Sequence, residues 1–355
     1  MNDRVAGRVS VVVPCYNGAR HLREAIESAL LQTHGDVEIL VVDDGSTDDS
    51  ATIAEGYMPR VRCIRQTNAG PSAARNRALE IATGEFVALL DADDRYHPTK
   101  LALQVEVLNA RRDIGAVYCG WRLVDVTGAI LPEGGWPHDE GDLLEPLLLG
   151  NLFHPVSVVV RADLVARVGG FDIRRPVNED WDLFLRLSRT GMRWACVDEA
   201  LCDYRIHPGQ SHQRLALVHE VASAILDHAF TSPDISGPIR RLEPEAREEA
   251  DLRAAAEFYA AGSVMEGHLA FRRAVDRRPG ILGESKTAIR FLRLVLPDGY
   301  RSRAEVVRRR HRLTRVLRTV LLQGARTWRE RGYAWRTILA VGLRLEWRSW
   351  IQRFT

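Results

Sequence analysis

The first hundred residues alternate between short apolar, β-branched runs and stretches of helical periodicity, and this alternation limits the fold more than any other feature of the chain. Residues 9–13 form a run suited to a buried strand, closed by Pro14. Residues 21–32 follow, with Leu22, Ala25, Ile26, Ala29 and Leu30 spaced along one helical face. Residues 38–42, 61–65 and 86–90 predict three more strands, and residues 72–82, behind Gly70-Pro71, a second helix. Strands and helices joined by such short links make right-handed βαβ units and hence a parallel sheet. Ligands of such sheets bind beyond the carboxyl ends of the strands. Residues 14–18, 43–48 and 91–94 all fall there, so three polar loops should converge on one edge. The expected fold class is α/β with a mostly parallel central sheet.

Past Gly115 the pattern changes to a hairpin, with residues 116–126 returning through Thr127-Gly128. Residues 153–161 predict another strand and Gly169-Gly170-Phe171-Asp172 a turn. Residues 180–190 predict a helix that turns Trp181, Phe184, Leu185 and Leu187 inward. After Ser211 the strand signals stop, and the remainder reads as helices broken at Ser232-Pro233, Pro279-Gly280 and Pro297-Asp298. The boundary falls in 215–235, which divides the chain into domains 1–220 and 221–355.

Apolar residues make up 46% of the 355, enough for a packed core. The net charge of +2 offers no general attraction for nucleic acid, and none is expected as a partner. The charge is unevenly spread, since residues 301–355 hold 15 Arg against 3 Glu and no Asp. Two apolar stripes run through that segment. One is Leu313, Val316, Leu317, Val320 and Leu321; the other is Trp335, Leu339, Leu343, Trp347 and Trp350. Basic amphipathic helices with Trp lie in anionic membrane surfaces; equally, such stripes pack against a catalytic domain or a second subunit. Residues 252–278 resemble a single tetratricopeptide hairpin, with no second copy. The five cysteines lack a CxxC pair, which argues for reduced thiols. No leader is visible in the first ten residues, and no run reaches the roughly 18 apolar residues that span a bilayer. The expected location is the cytoplasm, at most on the inner face of the membrane.

Asp91-Ala92-Asp93-Asp94 directly follows an apolar strand. Three carboxylates in four residues repel one another unless a cation or a set of donors compensates them. Hard oxygen ligands suit Mn²⁺ or Mg²⁺, which complete their shells with phosphate oxygens. The alternative is a solvated acidic turn that caps the next helix, with Pro98 in its first turn. On these four residues alone both readings stand.

Seven segments in order carry a resemblance: residues 9–17 (VSVVVPCYN), 41–48 (VVDDGSTD), 68–76 (NAGPSAARN), 84–94 (GEFVALLDADD), 169–172 (GGFD), 178–183 (NEDWDL) and 204–207 (YRIH). Together they closely resemble family 2 glycosyltransferases of the GT-A fold, over roughly residues 8–212. The resemblance implies an inverting transferase that moves a sugar from a nucleotide-sugar, a UDP-sugar by its base contact, to a hydroxyl. The acceptor would be a bacterial surface glycan or its lipid-linked precursor. Pro14 and Tyr16 would lie beneath the base, Asp44 would accept from the base imide N–H, Arg75 would face the nucleotide, and Asp91 would reach the ribose. Asp93 would bind the Mn²⁺ or Mg²⁺, with His207 as a further ligand in a loop closing over the diphosphate; Asp94 would be a helix cap. Asp180 would be the general base, its pKa raised by Glu179. Against this, residues 178–180 suit the cap of a helix starting at Trp181. Trp121, Trp136 and His154 fall where such enzymes shape their sugar and acceptor sites. Two rival functions are a sugar nucleotidyltransferase and a non-catalytic sugar-nucleotide-binding scaffold. The first would want a Gly-rich phosphate loop where this chain has Pro14-Cys15-Tyr16-Asn17-Gly18.

Overall fold

In a computed structural model, which describes residues 4–131, 136–207, 209–210, 214–233 and 235–278, the valine run forms an interior strand, third from one edge, of an eight-stranded sheet. That strand, β1 (Val5–Cys15), runs parallel to β2 (Val37–Asp43) on one side and β4 (Gly84–Leu89) on the other; Val11 pairs with both Ile39 and Ala88. β3 (Val61–Arg65) extends the parallel set beyond β2. Val9, Val11, Val12 and Val13 are all fully buried, because helices cover both faces of the sheet. This is why the run is continuous rather than alternating. α1 (Leu22–Leu30) buries Leu22, Ala25, Ile26 and Ala29, the stripe expected of it. α2 (Ser50–Glu55) and α3 (Pro71–Ile81) make the next two crossovers, α3 opening on Pro71, whose missing N–H costs nothing at a helix start.

The second half of the sheet changes direction. β7 (Val158–Arg161) is antiparallel to β4 and to β6 (Ile114–Val124). β8 (Arg193–Arg205) is parallel to β6, and the two-residue β5 (Arg95–Tyr96) closes the edge against it. The sheet order is β3-β2-β1-β4-β7-β6-β8-β5, with parallel pairings in the majority. α4 (Lys100–Ala110), α5 (Leu144–Leu149), α6 (Ala162–Arg167) and α7 (Glu179–Ser188) complete this unit.

Two expectations need correction here. The hairpin after Gly115 shrinks to a tight turn, in which Asp125 accepts from Thr127 N and Ala129 N. The return holds one bridge, Val124 to Ile130, because most of β6 is already paired with β7 and β8. The strand expected over 153–161 begins only at Val158, since Pro155 opens a 3₁₀ turn (Pro155–Ser157).

The described residues divide into two compact units, those within 4–214 together with 231–233 and 235, and 215–230 with 236–278. The second is helical: α8 (Leu215–Thr231), α9 (Gly237–Arg240), α10 (Glu243–Ala261) and α11 (Val264–Arg277). Small buried residues, Ala254, Ala255, Ala270 and Ala274, serve close packing of α10 with α11. Asp251 ties α10 to Arg273 and Arg277 of α11. Among the described residues no helix is long and apolar enough to cross a membrane. The basic stripes of 301–355 lie outside the described residues.

Candidate active site

The carboxyl ends of β1, β2 and β4 place the three polar loops side by side, and hydrogen bonds lace the first two together. Asn17, in a left-handed conformation (φ 51°), accepts from Thr47 N at 2.8 Å and donates its own N–H to Ser46 Oγ at 2.9 Å. Gly18 N donates to Ser50 Oγ at 2.9 Å. Pro14 pairs alongside Val42, and Tyr16 stands 54% exposed on this edge, so its ring is open to a ligand. Asp44 is buried and already works: Oδ1 accepts from Gln66 Nε2 (2.7 Å) and Ala69 N (2.9 Å), and Oδ2 from Gly70 N (2.8 Å). A carboxylate has about four acceptor sites, so about one is left for a base N–H. Gly45 next to it has φ 74°, and a Cβ there would meet Asn68 N at 2.9 Å. Asp44 and Gly45 together press the loop of residues 66–70 into place.

The Asp-rich loop behind β4 divides three ways. Asp91 Oδ1 receives Arg75 Nη2 at 2.5 Å. Asp93 Oδ2 lies 2.8 Å from His207 Nε2. Asp94 is buried and its Oδ1 accepts from Arg205 N at 2.8 Å. The expectation that Asp94 caps a helix is therefore corrected: α4 starts at Lys100 with Thr99 at its N-cap, and Asp94 instead fastens the loop to β8. Burial, then the charges of Asp93 and Asp91, hold the Asp94 carboxyl well above its ordinary range. Burial and then Asp91 raise Asp93 as well. Arg205 completes the fastening with Nε to Asp93 O (2.7 Å), Nη1 to Asp125 O (3.0 Å) and Nη2 to Glu24 Oε2 (2.6 Å).

Asp93 and His207 fit a divalent cation. Their facing atoms, His207 Nε2 and Asp93 Oδ2, lie 2.8 Å apart in a direct hydrogen bond, and the imidazole nitrogen and carboxylate are donor types that such an ion accepts. Among the described residues no three His, Cys, Asp or Glu side chains form a ready-made cage. Two protein ligands with an otherwise open shell is the arrangement in which Mg²⁺ or Mn²⁺ takes phosphate oxygens.

At the other end, α7 starts at Glu179 rather than Trp181. Asn178, at its N-cap position, has φ 55° and makes no side-chain capping bond, so the cap reading of this segment loses its side-chain hydrogen bond. Asp180 Oδ2 accepts from Asn151 Nδ2 at 2.8 Å. Burial, then the neighbouring Glu179, raise the Asp180 carboxyl to about 7. Glu179 Oε1 receives Arg75 Nη1 at 2.6 Å. Arg75, 3% exposed and lying over the Phe171 ring at 5.2 Å, thus spans the gap between the Asp-rich loop and the acidic pair. It faces two carboxylates, Asp91 and Glu179.

Asp91, Arg75, Glu179 and Asp180 therefore form one connected cluster, Asp93 and His207 a pair beside Asp91, and Pro14, Tyr16 and Asp44 the neighbouring rim. Sequence reasoning missed Asn151 and the fastening work of Arg205. His154 stacks on Tyr204 at 3.9 Å, and Trp121 meets His154 edge-on at 4.9 Å. Trp121 is 7% exposed, a packing residue; Trp136 is partly exposed and donates to Asp198 at 3.1 Å.

A twisted α/β sheet of this order, with an Asp-rich loop closing its fourth strand, defines a Rossmann-like domain of the GT-A class. Residues 10–143 match the family model described as glycosyl transferase family 2. An uncharacterized glycosyltransferase of Rickettsia prowazekii (strain Madrid E) is 33% identical over 209 residues, 57% of this chain. The chain spans 65% of that relative's length. Chondroitin synthase of Pasteurella multocida (strain Pm70) is 30% identical over 187 residues, 52% of this chain and 19% of that protein. S. aureus TarS 1-349 in complex with UDP-GlcNAc has a TM-score of 0.57 at 18% identity, covering 97% of this chain and 92% of that one. The mannosyltransferase PcManGT from Pyrobaculum calidifontis, in complex with GDP-Man and Mn²⁺, scores 0.56 at 21% identity, covering 98% and 90%. At such identities the two structures establish the fold alone. Over residues 10–143 the chain is similar to glycosyl transferase family 2.

Proposed function

We propose that the protein is an inverting, metal-dependent glycosyltransferase that moves a sugar from a UDP-sugar to a hydroxyl of a glycan or lipid-linked acceptor in bacterial surface polysaccharide synthesis. The observation that carries this reading is the pairing of Asp93 with His207 at one end of the cluster and a carboxyl raised to about 7, Asp180, at the other. Asp93 and His207 would hold Mn²⁺ or Mg²⁺, whose charge offsets that gathering on the departing diphosphate. Tyr16 and Pro14 receive the base, Asp44 keeps one acceptor site for its imide, and Asp91 reaches the ribose. Asp180 takes the proton of the acceptor hydroxyl. The acceptor oxygen then bonds to the anomeric carbon as the carbon–oxygen bond to UDP breaks, and the electron pair leaves with UDP. A base poised near 7 combines the ionised form with useful proton affinity at neutral pH. Attack from the face opposite the leaving group inverts the anomeric carbon.

Support for the donor class comes from two fold neighbours, which hold UDP-GlcNAc and GDP-Man with Mn²⁺. Chondroitin synthase supports a glycan product. The same reading puts the reaction in the cytoplasm, with residues 301–355 on the membrane face; its support is their 15 Arg against 3 Glu. A panel of nucleotide sugars, assayed with Mn²⁺, Mg²⁺ or EDTA, tests the proposal. Metal-dependent UDP release is expected; release of pyrophosphate identifies a nucleotidyltransferase instead, and no turnover with any donor favours a binding scaffold.

A further inference from the structure

The loop between α5 and the 3₁₀ turn is fastened on both sides to the helix that bears Asp180. Before it, Trp181 of α7 donates its indole N–H to Leu147 O of α5 at 2.7 Å. After it, Phe153 is buried and stacked on Trp194 at 4.7 Å, with Tyr118 at 4.4 Å and Phe184 of α7 edge-on at 5.8 Å. Asn151 sits between these two anchors. Its Oδ1 accepts from Phe153 N at 3.4 Å, which orients the amide and leaves Nδ2 to donate to Asp180 Oδ2 at 2.8 Å.

We propose that Asn151 is the positioning residue of the catalytic base, holding one oxygen of Asp180 so that the other is aimed at the acceptor hydroxyl. This rests on the reading of Asp180 as the base. An aspartate in the first turn of a helix has more than one χ1 and χ2 rotamer open to it unless something selects one, and proton transfer requires the oxygen within hydrogen-bond reach of the hydroxyl. A donor on a rigid loop supplies that restraint and also favours the ionised form. The other groups that act on Asp180 are Glu179, which raises its pKa after burial, and the Trp181 N–H and Arg75, which lower it. Tyr204 of β8 also lies within electrostatic reach. Nothing in the motifs around Asp180 marks Asn151, which lies 29 residues away.

The test is the pH profile of kcat for Asn151→Ala and for the isosteric Asn151→Asp, with thermal melts and UDP titration as controls. Loss of one charge-assisted donor should move the acid limb of kcat upward by about one pH unit in Asn151→Ala. Asn151→Asp places a second carboxyl beside Asp180 and should move it further. The donor KM should stay within about twofold of wild type, because the loss falls on the transfer step. Two results overturn the proposal: an unmoved acid limb while Asp180→Asn still abolishes transfer, or loss of UDP binding in both variants, which makes Asn151 merely structural. Full transfer by Asp180→Asn would instead remove the base itself, a failure of the underlying reading rather than of the loop's role.

Discussion

Arg75→Met is the perturbation that best separates a clamp at the centre of this site from a bystander. The guanidinium is 3% exposed, and two of its nitrogens lie 2.5 Å from Asp91 and 2.6 Å from Glu179. Removing it leaves two carboxylates facing each other without a cation, and breaking a buried pair in this way costs about 3–5 kcal/mol. Asp91 keeps 26% exposure, so water recovers part of its charge and the lower figure, about 3 kcal/mol, applies. In a unit the size of residues 4–214 with 231–233 and 235, that corresponds to a fall in Tm of about 6–12 °C. A second effect follows at Asp180. Arg75 lowers its pKa, so in the variant the carboxyl should rise above its present value of about 7 and transfer at neutral pH should fall. Arg75→Lys should recover part of the loss, because an ammonium is a point charge that serves one carboxylate where the planar fork serves two. Thermal melts and a pH profile of kcat measure both effects. A Tm for Arg75→Met within about 2 °C of wild type, with an unmoved acid limb, would refute the clamp.

Other outcomes follow from the same geometry. Asp180 is raised from 3.8 to about 7, so the folded state holds its proton more tightly than the unfolded chain, and its stabilising share is lost as pH rises from about 4 through 7. Asp180→Asn should therefore melt higher than wild type at pH 8, with the gain shrinking towards pH 4; equal melting at pH 8 would contradict the raised carboxyl. His207→Ala should raise the Mn²⁺ concentration needed for half-maximal transfer without changing the fold, as titration under steady-state conditions would show. Lys100 is fully buried, with Nζ bonded to Gln104 Oε1 at 2.7 Å and lying 4.3 Å from the Tyr96 ring centroid; burial lowers its pKa. Lys100→Met removes the amine but leaves the buried Gln104 Oε1 without its donor, so its denaturant midpoint should fall below that of wild type; an unchanged midpoint would show that this hydrogen bond contributes nothing.

The parallel half of the fold was legible because its signals are local. Strands buried on both faces read as continuous apolar runs, and α1 shows its stripe within nine residues. β8 left no such trace. It is thirteen residues long, yet Asp198 and Glu199 interrupt its apolar pattern, and its pairing with β6 slips register near Gly120. The antiparallel course of β7 was hidden too, since four residues carry no record of their direction. Candidate site residues stood out where charge clusters in sequence, as in Asp91-Ala92-Asp93-Asp94. The roles of Arg205 and Asn151 depend on partners far along the chain, including Glu24 for one and Asp180 for the other. Arg75 stands within a motif of the sequence, but its partners Asp91 and Glu179 lie 16 and 104 residues away, and only the folded sheet brings them together. Trp136 rests where a Cβ on Gly120 would meet its ring at 2.3 Å, a fit that no spacing rule reveals.

The central claim is that Asp180 deprotonates an acceptor while the Asp93–His207 end holds the departing UDP. One comparison tests it directly: UDP release during transfer by wild type and by Asp180→Asn, with Mn²⁺ present and UDP binding measured on both. The account predicts that wild type turns over, and that Asp180→Asn binds UDP with unchanged affinity but loses at least about 10²–10⁴-fold in kcat. Undiminished turnover by Asp180→Asn would contradict it.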